Sequence, residues 1–66
     1  MYDVIYIDQH GSETRVAEHL ADCAAAKDIA RAAAAERGVG RMMLTGSRRP
    51  ANCVCVITTA EVPHAA

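Results

Sequence analysis

Asp22-Cys23-Ala24-Ala25-Ala26-Lys27-Asp28-Ile29-Ala30-Arg31-Ala32-Ala33-Ala34-Ala35-Glu36-Arg37-Gly38 is the stretch that decides the fold class. Nearly every residue inside it is a strong helix former. Asp22 can accept a hydrogen bond from a free N–H of the first turn, and Gly38 can take the left-handed conformation that stops a helix. The segment therefore predicts one helix, Cys23 to Arg37, capped by Asp22. Wound at about 100° per residue, that helix sets Ala25, Ala26, Ala32 and Ala33 around Ile29 on one face and points Lys27, Asp28 and Arg31 away. A face this thin lets a helix approach a sheet closely, and the sheet must supply most of the buried volume.

Working outward toward the N-terminus, Tyr2-Asp3-Val4-Ile5-Tyr6-Ile7 is β-branched and aromatic, and Gly11 follows where a short hairpin loop needs a left-handed residue. Glu13 to Leu20 then reads as a return strand, with Thr14, Val16, Glu18 and Leu20 on one side and Arg15, Ala17 and His19 on the other. Val16, Leu20 and Cys23 also recur at helical spacing, so a helix starting near Thr14 competes; the positions of Gly11 and Asp22 favour the hairpin. Toward the C-terminus, Arg41 to Thr45 and Asn52 to Thr59 read as strands three and four, separated by the turn-rich Gly46-Ser47-Arg48-Arg49-Pro50-Ala51. The order ββαββ predicts an α+β domain, a mostly antiparallel sheet with one helix packed on one face. Residues 1–60 form the compact domain and 61–66 a flexible tail.

At 66 residues such a domain removes only about 60% of its unfolded surface from water, so help from a partner is expected. Three cysteines, an odd number, with no secretory segment before them, point to reduced thiols and a cytoplasmic setting. No apolar run approaches the roughly 20 residues that span a bilayer, which excludes a membrane partner. Charge is uneven along the chain. Met1 to Glu36 carries seven acids against Arg15, Lys27 and Arg31, giving −4, whereas Arg37 to Ala60 carries Arg37, Arg41, Arg48 and Arg49 with no acid, giving +4. Either the halves attract each other across the fold or the basic half forms a docking loop.

Both outer strands of the pattern are apolar on both sides. Tyr2, Val4 and Tyr6 share one face of strand one and Ile5 and Ile7 the other; in strand four Cys53, Cys55 and Ile57 oppose Val54, Val56 and Thr58. One helix covers one face, so the expectation is that Tyr2, Val4 and Tyr6 dock on another protein or on a second copy as a homodimer, with Arg41, Arg48 and Arg49 orienting the partner. The alternative is a sheet that curls and covers itself with its own loops and tail.

Chemistry-bearing residues are sparse. Cys53 and Cys55 project to one face of a strand and Cys23 lies at the edge of the helix face, so these three are the only candidates for a metal or redox cluster; structural zinc sites draw their ligands from turns, and packing as small hydrophobes is the competing reading. His10, His19 and His64 are isolated, Ser12 and Ser47 lack a base and an oxyanion donor, and Gly38-Val39-Gly40 follows a helix where a phosphate loop would precede one. No catalytic residue and no cofactor is assigned. Arg48-Arg49 reads as a solvated hairpin tip, and with no Phe or Trp to stack bases, direct sequence-specific nucleic-acid binding is not expected beyond a weak interaction through the basic half.

Ala25-Ala26-Lys27-Asp28-Ile29-Ala30, set on a helix that follows a hairpin and precedes further strands, resembles small phage-encoded anti-CRISPR proteins of the type I-F group. The resemblance implies a stoichiometric inhibitor that clamps onto a CRISPR surveillance complex by a sheet face and charged loops and blocks target hybridisation. It assigns no individual residue a role. The combined expectation is a non-enzymatic protein-binding module, with a cysteine-dependent metal or redox protein as the alternative.

Overall fold

The computed structural model describes residues 1–43 and 49–58. Its elements are β1 (Tyr2–Ile7), β2 (Glu13–Leu20), α1 (Cys23–Arg37), β3 (Gly40–Met43) and β4 (Cys53–Thr58), the expected ββαββ order of a small α+β domain. The strands form one sheet in the order β2-β1-β4-β3, with β1 antiparallel to both its neighbours and β3 parallel to β4. The 61–66 segment lies outside the described residues.

The first hairpin forms where Asp8 and Gly11 place it. Asp8 Oδ1 accepts the amides of His10 (2.8 Å) and Ser12 (2.9 Å), and Gly11 turns the chain at φ +84°. These bonds, Ser12's first, hold the Asp8 carboxyl below its ordinary pKa. With the hairpin closed, a helix from Thr14 has no room to start. β2 nevertheless departs from simple alternation. Its pairing with β1 slips by one residue between Tyr2 and Val4 and again between Val4 and Ile5, so two bulges bring Val16, Ala17 and Leu20 all to the helix side, where Ala17 was expected to face away.

The helix has the expected limits and caps. Asp22 accepts the Ala24 amide at 3.0 Å. At the other end Gly38 (φ +66°) donates to Ala35 O and Val39 to Ala34 O, the paired bonds of a Schellman stop, while Val39 packs on the core. The buried row is Ala26, Ala30, Ala33 and Ala34. The helix is thus rotated from the expected face: Ala32 is exposed, and Ala25 and Ile29 are only partly buried. Residues at i, i+4, i+7 and i+8 form the stripe that lies flattest on a sheet, and methyl groups there let the axis approach Val4, Val54 and Val56. Burying each of these valines contributes about 1.5–3 kcal/mol relative to leaving it exposed.

Two further expectations are corrected. Because β3 and β4 pair in parallel, they are not the two arms of a hairpin and Arg49 is not at a hairpin tip; Arg48 lies outside the described residues. And the sheet face away from the helix, bearing Ile5, Ile7, Cys53, Cys55 and Ile57, is buried by the chain itself, without a second molecule. Among the described residues no helix is long and apolar enough to cross a membrane.

Candidate functional site

The row expected to dock, Tyr2, Val4 and Tyr6, lies beneath the helix. Val4 is 0% exposed at the centre of the main core, with Tyr2 and Tyr6 packed on its flanks. The reason is register: Val4 pairs with Val56 and Tyr6 with Val54, so the three share a face with the β4 valines that α1 covers. Arg37 closes the helix end over Tyr6, its guanidinium carbon 5.0 Å from the ring centroid. Tyr2 meets Cys23, whose charge and hydrogen bond raise the phenol pKa.

The three arginines assigned to orientation separate. Arg48 lies outside the described residues. Arg49 is ion-paired, its Nε 3.4 Å from Glu13 Oε2, which realises the attraction between acidic and basic halves. Arg41 stands exposed on β3. The three cysteines separate as well. Cys23 sits at the start of α1 beside Tyr2, while Cys53 and Cys55 lie on the opposite face of the sheet, in the cluster with Ile5, Ile7 and Ile57, so one three-thiolate cluster is not formed. Burial, first, and the neighbouring Cys53 thiol push the Cys55 thiol up to about 12.

Among the described residues, β2 and β3 form the two edges of the sheet, and they differ. The β2 edge is defended. It carries Glu13, Arg15 and Glu18, two bulges, and His19 at φ +57°. Asp3, a carboxylate only 1% exposed, secures that geometry from β1: its Oδ1 accepts the His19 amide at 3.0 Å and its Oδ2 lies 3.4 Å from Arg15 Nη1, which also bonds Glu18 Oε2 at 3.0 Å. Bulges twist the backbone away from a flat pairing geometry, and charges penalise an incoming strand.

Over Gly40–Met43 the β3 edge has one charge and no bulge. Gly40, Arg41, Met42 and Met43 are all exposed, and Met42 (43%) and Met43 (45%) are, with Met1, the large exposed hydrophobic side chains among the described residues. Register puts Met42 beside Cys55 and Met43 beside Val56, one methionine on each face. β4 satisfies one side of the β3 backbone; among the described residues nothing pairs with the other. Such an edge offers N–H and C=O groups to an extended segment and flexible thioether side chains to its flanks. Sequence reasoning placed these methionines in a strand but gave them no role, because the strand order that puts β3 at the border is a long-range property. Among the described residues, no group of three or more His, Cys, Asp or Glu side chains is placed to hold a metal. Comparison with protein-family models, curated proteins and solved structures finds no match.

Proposed function

We propose that this chain is a non-enzymatic protein-binding module that takes an extended segment of a partner along the open edge of β3. Met42 and Met43 grip the two faces of the added strand, and Arg41 selects an acidic residue beside it. What carries the reading is the contrast between the borders: charges and bulges protect β2, whereas β3 exposes two methionines and a backbone side with no partner among the described residues. The partner is another protein or a second copy of the chain, in a cytoplasmic setting. Inhibition of a CRISPR surveillance complex, which the helix resemblance implies, is the most specific form of this reading. Arg49, held by Glu13, adds little to a basic surface for nucleic acid.

The test is sedimentation of the chain alone and with a reconstituted type I-F surveillance complex, for wild type, Met42→Asp and Arg41→Glu. A heavier species is expected in one of the two settings and lost in both variants, whose circular dichroism stays that of wild type. A chain that stays monomeric and unbound in both settings, or variants that bind as wild type does, would refute the docking edge.

A further inference from the structure

β1 and β4 each have a strand on both sides. Among the described residues a further strand can therefore join only at β2 or at β3, and β2 opposes one with its charges and two bulges. A sheet open at one border is what a closed pair of molecules needs. Joined β3 to β3 about a two-fold axis, two copies make one sheet in the order β2-β1-β4-β3-β3-β4-β1-β2. Both outer borders are then the defended strand, so growth stops at two. A contact between β3 of one copy and β2 of the next would instead continue into a filament.

Symmetry and charge then set the register. A two-fold axis perpendicular to the sheet makes the pair antiparallel and places residues of the same face opposite each other, and side chains alternate between faces along a strand. Within Gly40–Met43 the longest pairings that obey this are centred on Arg41 or on Met42. Centring on Arg41 sets two guanidinium groups directly opposite, which is repulsive. Centring on Met42 sets Met42 opposite its own copy on the Cys55 side of the sheet, and Arg41 opposite Met43 of the second copy on the Val54 and Val56 side. There the aliphatic stem of Arg41 lies along a thioether while its charge reaches water.

We infer that the occupant of the β3 edge is a second copy of this chain, paired antiparallel with its axis at Met42. The inference rests on the reading of β3 as the docking edge and names what fills it. A strand of four residues is about 13 Å long, which places the contact well below a standard interface of about 1,600 Å². The dimer is accordingly weak, with a dissociation constant of about 10 µM to 1 mM.

The experiment is sedimentation equilibrium of the intact chain from about 10 µM to about 1 mM, for wild type, Met42→Asp, Met42→Lys and an equimolar mixture of the two variants. Wild type is expected to approach twice the 7.0 kDa chain mass and to go no higher. Each variant alone should associate at least about tenfold more weakly, because like charges then face each other across the axis. The mixture should recover association, since only a position that faces itself lets Asp and Lys meet; that recovery also shows that both variants are folded. A wild type that is monomeric throughout, one that grows beyond the dimer, or a mixture no heavier than its separate components would overturn the inference. If wild type is monomeric yet binds the surveillance complex, and Met42→Asp does not, the second copy is refuted and the docking edge stands.

Discussion

Raising the pH above 9 should destabilise this protein through one thiol. Cys55 is fully buried at the centre of β4, and its pKa is pushed from an ordinary 9.0 up to about 12, first by burial and then by Cys53. Those values imply roughly a thousandfold less thiolate in the folded chain than in the unfolded one at neutral pH. The folded state keeps its proton while the unfolded state releases it, so the stability contributed by this thiol is complete below pH 9 and is lost as pH rises toward 12. Between those values the slope approaches about −1.4 kcal/mol per pH unit. A chain this small has only a few kcal/mol to lose. The assay is urea unfolding followed by circular dichroism at pH 8, 9, 10 and 11, for wild type and Cys55→Ala. The variant is less stable throughout because of the cavity, but its curve should fall less steeply, since the other titrating groups are common to both. Parallel curves from pH 8 to 11 would show that burial does not hold the Cys55 proton, and the reasoning would fail.

Alkylation of the native protein should modify Cys23, which is partly exposed, while Cys53 and Cys55 react only after denaturant is added; mass mapping of the labelled peptides reads this directly. Asp22→Ala should remove about 1 kcal/mol by leaving the Ala24 amide uncapped, lowering the thermal midpoint by about 4–8 °C in a domain of this size. Ala30→Leu should cost about 1–3 kcal/mol, because the methyl is 0% exposed between helix and sheet, whereas Ala24→Leu on the exposed side should leave chemical denaturation unchanged. Val4→Asp should abolish cooperative unfolding, because it puts a carboxylate where no water reaches.

The candidate edge was legible in the sequence only in part. Arg41 was visible as an exposed charge on a short strand, and Met42 and Met43 as strand residues, yet their position at the border depends on which strand β4 chooses as its second neighbour. Likewise the apolar character of both faces of β1 and β4 was plain from alternation. The pairing of Val4 with Val56 and of Ile5 with Cys55 sets which residues share a face, but which face the helix covers, and that the chain buries the other, are seen only in the packing.

Read alone, the residues determined what depends on neighbours along the chain: a helix from Cys23 to Arg37 with Asp22 and Gly38 as its ends, a turn at Gly11, and strands where β-branched residues cluster. Caps and turns involve hydrogen bonds within a few residues, so their energies are written locally. Tertiary structure alone decided the rest. The parallel pairing of β3, the two bulges of β2, the rotation of α1 onto Ala26, Ala30, Ala33 and Ala34, and the burial of Val4 with Tyr2 and Tyr6 partly buried beside it depend on how apolar area is covered across the fold. That coverage runs over contacts between distant residues, and no local window contains it.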